Sequence, residues 1–110
     1  MLKVILGDLM DEKSLAEFAL KHLDYTLLDA EADDEQIMEF LERASRWKPA
    51  AVCVLPSEVS RAKETLDPQI IVASAAGCFP NPNGDINQRI DDIKTAVEGG
   101  ADEIDIVMDF

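Results

Sequence analysis

Apolar residues recur along this chain with two alternating periods. Over residues 11–23, Leu15, Phe18, Ala19 and His22 fall at helical spacing and predict an amphipathic helix. Residues 23–28 (LDYTLL) then read as a first strand, closed by the polar stretch 29–34. A second helix opens behind Asp33, an N-cap with Gln36 three residues on, the spacing of a capping box. Its apolar stripe is Ile37, Phe40, Leu41, Ala44 and Trp47, and Lys48-Pro49 ends it, because proline cannot continue a helix. Residues 50–55 (AAVCVL) are continuously apolar and read as a strand buried on both faces. Pro56-Ser57 starts a short helix with Ser57 as its expected cap and Val59, Ala62 and Leu66 pointing inward; Asp67-Pro68 closes it. Residues 69–76 (QIIVASAA) form the next buried strand. A nine-residue loop, GCFPNPNGD, follows, long for a strand-to-helix connection. Asp85 caps the last helix with Gln88 three residues later, and Ile86, Ile90, Ile93 and Val97 form its stripe. Gly99-Gly100 stops that helix, and residues 103–108 read as a final strand.

The order is therefore a leading helix followed by (βα)3β. Strands of this kind joined by helices imply a parallel sheet with crossovers of one hand, an α/β fold. Two architectures fit: a small open sandwich with helices on both faces, or half of a (β/α)8 TIM barrel. A final buried strand in an open sandwich is usually covered by a helix that follows it. None follows Phe110, which favours a unit that depends on more protein. The expectation is one partial domain over residues 1–110, with residues 1–10 as a leader.

Charge narrows the function classes. The chain carries 23 acidic against 10 basic residues, a formal net charge of −13. Such a field repels nucleic acid and anionic membrane surfaces, so neither is an expected partner. The opening MLKVILGDLMDEK is interrupted by Gly7 and Asp8 and does not read as a secretory signal, and no apolar run approaches a membrane span. Cys53 and Cys78 are too few for a disulfide framework and read as reduced thiols of a cytoplasmic protein. With neither cysteine in a CxxC pair and His22 the one histidine, no metal site is expected.

Two carboxylates stand out, because each sits in an apolar strand. Asp24 opens the first and Asp105 lies inside the last. A carboxylate placed there either bonds neighbouring backbone or is held for acid–base work. Asp102 and Glu103, at the start of that strand, read as solvated. Cys53 has no neighbouring base or cation to activate it and reads as a core thiol lining a pocket. A Schiff-base enzyme needs a lysine in a desolvated pocket, but none of Lys3, Lys13, Lys21, Lys48, Lys63 or Lys94 falls in a predicted strand. No G-x-G-x-x-G or P-loop pattern is present.

Four segments together carry a family resemblance: LDYTLL before an acidic helix start, AAVCVLP, a strand running into CFP, and GADEID before an apolar strand. From about Leu15 onward the chain resembles the N-terminal half of deoxyribose-phosphate aldolase, a class I aldolase with a β/α-barrel fold. The resemblance implies cleavage of 2-deoxyribose 5-phosphate to glyceraldehyde 3-phosphate and acetaldehyde through a lysine Schiff base, with no metal and no cofactor. It implies that Asp105 takes part in proton transfer, that Cys53 lies near the substrate, and that Asp24 and Thr26 border the site. The family's Schiff-base lysine and phosphate site belong to later strands and loops, beyond the segment matched here. Pro82 stands where the family usually has glycine. The expectation is a chain inactive alone, taking its sugar phosphate only when a complementing half is supplied, or a non-enzymatic half-barrel that associates with its own copies.

Overall fold

The computed structural model describes residues 11–107. The expected leader, residues 1–10, and the last three residues lie outside that range. Nine elements follow in order: α1 (Glu12–Leu20), β1 (Asp24–Leu27), α2 (Asp34–Trp47), β2 (Ala51–Val54), a 3-10 turn (Pro56–Glu58), α3 (Val59–Thr65), β3 (Ile71–Ala76), α4 (Ile86–Glu98) and β4 (Glu103–Ile106). The strands form one parallel sheet in the order β1-β2-β3-β4.

Helix boundaries follow their local chemistry. Asp11 caps α1 by accepting from the Ser14 amide at 2.7 Å. At α2, Asp33 accepts from the Gln36 amide while the Gln36 side chain accepts from the Asp33 amide, so the capping box is complete. Asp85 accepts from the amides of Asn87 and Gln88 at the head of α4. Ser57, the expected cap of the third helix, does not cap it. Pro56 instead opens a 3-10 turn that runs directly into α3, with no side-chain cap bond.

Strand alternation divides the sheet into two unlike faces. Tyr25, Leu27, Val52, Val54, Val72, Ala76 and Ile104 pack with Ile37, Phe40, Leu41, Ala44, Val59, Ala62 and Ala96 from the helices. This is the main core. Tyr25 and Phe40 stack within it, ring centroids 4.5 Å apart. Burying these side chains supplies most of the folding drive, on the order of 1.5–3 kcal/mol for each large apolar residue. Cys53, Ala73 and Ala75 form a separate small cluster on the opposite side of the strands, joined by Leu28.

This one-sidedness decides between the two architectures. A sheet wound in strict order 1-2-3-4 by crossovers of one hand keeps every crossover helix on one face. A sandwich with helices on both faces would need the strand order to reverse. The chain is therefore a barrel-type βα segment, with its three crossover helices packed on one face of the sheet.

Three expectations about burial change. β2 is buried on both faces and β3 nearly so, but β1 and β4, at the two edges, are only partly covered. Trp47, the last residue of α2 before the left-handed Lys48, is exposed. In α4 only part of the expected stripe turns inward: Ile93 is half-buried and packs against the core, while Ile86, Ile90 and Val97 are exposed. The helix also rests on Ala96, and Gly99 brings its end against α3, where a Cβ would lie 3.1 Å from that of Val59.

Candidate active site

Asp24, Thr26, Cys53 and Asp105 come from three strands, β1, β2 and β4. Alternation places all four on the face opposite the main core. They line a cavity of about 290 Å³ together with Ala75 and Phe79.

Cys53 and Asp105 meet across an intervening strand. Cys53 is paired with Ala73 on β3, and Asp105 with Ala75 on the same strand. Strands β2 and β4 are two spacings apart, roughly 10 Å. Only small residues between them let the side chains close that gap. Ala73 and Ala75 are those residues, and the thiol donates to Asp105 Oδ2 at 3.7 Å. The importance of these two alanines appears only once the register is known.

The environment of the thiol is unfavourable to its ionisation. Burial, then the charge of Asp105 and the hydrogen bond to it, then the charge of Asp24, push Cys53 up to about 11. At neutral pH it is a thiol that donates a hydrogen bond, not a nucleophile. Asp105 and Asp24 are both exposed on the face opposite the main core. Thr26 Oγ1 donates back to the Asp24 carbonyl at 3.2 Å.

Asp102 is more than a solvated strand start. Its carboxylate accepts from the Val72 amide at 2.9 Å and from Lys63 Nζ at 3.1 Å, while its own amide donates to the Val72 carbonyl at 2.8 Å. These bonds tie β4 to β3 at the end opposite Phe79, and the Val72 amide above all holds the carboxyl below its ordinary range. Glu103 is exposed, as expected.

The loop after β3 forms the rim of the cavity. Gly77 has φ +83° and Cys78 φ +66°, so the chain turns sharply as it leaves the strand. Asp92 accepts from the Cys78 amide at 2.9 Å. Arg89 donates to the carbonyls of Pro82 and Val107, each at 2.7 Å. Neither residue stood out in the sequence, where Arg89 and Asp92 are two charged positions on a polar helix face. Among the described residues, the cavity lining includes no lysine.

Over 89 residues, four-fifths of this chain, the sequence is 39% identical to a deoxyribose-phosphate aldolase of Clostridium botulinum. The chain matches part of a deoxyribose-phosphate aldolase. It spans only 42% of that relative's length. A structure from Coccidioides immitis described under the same enzyme name superposes with a TM-score of 0.75 at 32% identity, over 86% of this chain and 37% of that one. The deoxyribose-phosphate aldolase of Aeropyrum pernix, described as a tetramer, superposes with a TM-score of 0.72 at 25% identity, over 84% of this chain and 40% of its own. No protein-family model matches. Four parallel strands with helices on one side, matching about 40% of barrel aldolases, make this fold half of a (β/α)8 barrel. Among the described residues, no helix is long and apolar enough to cross a membrane.

Proposed function

We propose that this chain supplies the proton-transfer half of a deoxyribose-phosphate aldolase barrel and is inactive alone. The observation that carries the reading is the placement of Asp105. It stands on the face opposite the main core, bonded to Cys53, in a cavity bordered by Asp24 and Thr26. A carboxylate held this way can shuttle a proton to and from a substrate carbon or a bound water. Imine formation needs an amine in the same cavity. The described lysines lie elsewhere: Lys13 in α1, Lys21 at its C-cap, Lys48 at the C-cap of α2, Lys63 in α3 and Lys94 in α4. A lysine facing Asp105 is then supplied from outside the described residues, by a segment that would also supply the phosphate site. With it, the substrate is 2-deoxyribose 5-phosphate and the products are glyceraldehyde 3-phosphate and acetaldehyde. Residues 1–110 form one partial domain of that barrel.

Borohydride trapping with deoxyribose 5-phosphate tests this. The chain alone is expected to form no covalent adduct. Mixed with the remainder of the Clostridium botulinum relative, it should restore trapping, with the adduct on the added segment. Replacing Asp105 by asparagine should then slow turnover by about 10²-fold or more, the usual scale for losing a positioned acid–base group. An adduct on any lysine of this chain would overturn the assignment.

A second reading has its own support. Among the described residues nothing pairs with the outer edges of β1 and β4, and Ile86, Ile90, Val97 and Ile106 are exposed apolar residues. Two copies would provide eight strands. They would also place two sets of Asp24, Glu103 and Asp105 in one lumen, so the charge pattern favours a basic complementing segment. Light scattering separates the two: a dimer strengthened by salt supports self-association, and a monomer of 12.1 kDa rules it out.

A further inference from the structure

We propose that Arg89 is a positioning residue that staples together the two backbone segments forming the rim of the Asp105 cavity. The inference deepens the functional reading, since it treats that cavity as the substrate side of the sheet. One segment is the 77–84 loop, which carries Phe79; the other is the end of β4, where Val107 follows Asp105 by two residues. Phe79 and Val107 both line the cavity. Arg89 reaches one carbonyl of each segment, Nη1 to Pro82 and Nη2 to Val107, both at 2.7 Å.

The chemistry of the group suits that task. A guanidinium is a rigid planar fork, so two acceptors bound to its two terminal nitrogens are held at a fixed separation. Charge assistance shortens and strengthens both bonds. Among the described residues, Arg61 and Lys63 are paired with carboxylates. Arg89, half-buried in a chain rich in acids, is joined to two carbonyls instead. One helical step on, Asp92 grips the other end of the same loop through the Cys78 amide. Cys78 holds a left-handed conformation that a non-glycine residue adopts only when its surroundings enforce it. The first two turns of α4 thus hold the loop at both ends, and among the described residues it is Arg89 whose hydrogen bond extends the grip to the end of β4.

The full chain carrying Cys78→Ser, so that Cys53 is the sole thiol, provides the test. Arg89→Met and Arg89→Lys are compared with this parent by backbone hydrogen exchange and by the pH profile of Cys53 alkylation. For Arg89→Met, exchange in residues 78–84 and 104–107 should quicken together by about fivefold or more while the amides of β2 and α2 keep their rates. Cys53 alkylation at pH 9 should also quicken, because a freed β4 end lets Asp105 leave the thiol. Arg89→Lys, with one point of attachment, should free one segment and not both. Unchanged exchange at the rim overturns the proposal, as does uniform acceleration across the sheet, which would mean general support of the fold. Slower alkylation overturns it too, since that is what simple loss of a nearby cation produces. None of these readouts needs turnover, so failure to trap an adduct in the reassembled barrel would refute the aldolase reading and leave this one standing.

Discussion

Asparagine at position 105, in the Cys78→Ser background, should make Cys53 reactive at lower pH. The substitution keeps the side chain's shape and removes its charge. The thiol stands at about 11 for reasons that can be separated: burial first, then the charge and the hydrogen bond of Asp105. Only the second and third change. At 3.7 Å, and with the screening appropriate to an exposed carboxylate, the lost repulsion is about 1 kcal/mol, or roughly one pH unit. Burial remains, so the thiol should settle between its ordinary value and its present one. Below the midpoint, a drop of one unit raises the thiolate fraction about tenfold. The iodoacetamide rate at pH 9 should therefore rise by roughly five- to tenfold. Circular dichroism across the same pH range establishes that the fold persists. An unchanged profile would show that Asp105 does not face Cys53 in solution, and the site as described would fall with it. A midpoint that moved upward would show that the carboxylate had been aiding ionisation, the reverse of the geometry.

Two further outcomes follow from bonds outside the cavity. Asp102→Ala should cost roughly 1–2 kcal/mol in urea unfolding at pH 7, the scale of a charged hydrogen bond. Because folding lowers the Asp102 pKa, its contribution is present above the unfolded value near 4 and disappears as pH falls through the folded one. The gap between variant and parent should thus narrow below about pH 4, and a gap that persists there would refute the role given to the charge. Ser74 is fully buried, and its hydroxyl has no hydrogen-bond partner among the described residues. Ser74→Ala should be neutral or stabilising by up to about 1 kcal/mol; a loss of stability would reveal a bond not seen here.

Much of this was legible in the sequence because it depends on neighbours along the chain. Period and capping chemistry located all four strands and the helices between them, since a capping box or a proline stop acts within four residues. The acids inside apolar strands were visible for the same reason: Asp105 is out of place against Ile104 and Ile106 whatever the fold. Family likeness added the expectation that Asp24, Thr26, Cys53 and Asp105 share a site.

Tertiary structure decided what distance along the chain conceals. Strand order placed the three crossover helices on one face, a property of crossovers that no local pattern encodes. It also exposed Ile86, Ile90 and Val97, because a stripe shows that a helix has an apolar side but not which neighbour that side meets. Register set Ala73 and Ala75 between Cys53 and Asp105, so that two side chains 52 residues apart could touch. Arg89 became a staple only when folding brought the carbonyls of Pro82 and Val107 to the two ends of its guanidinium. Local sequence determines which segments become strands and helices, since those interactions are short-ranged. The contacts that make a site lie between segments, and their geometry exists only after the sheet has formed.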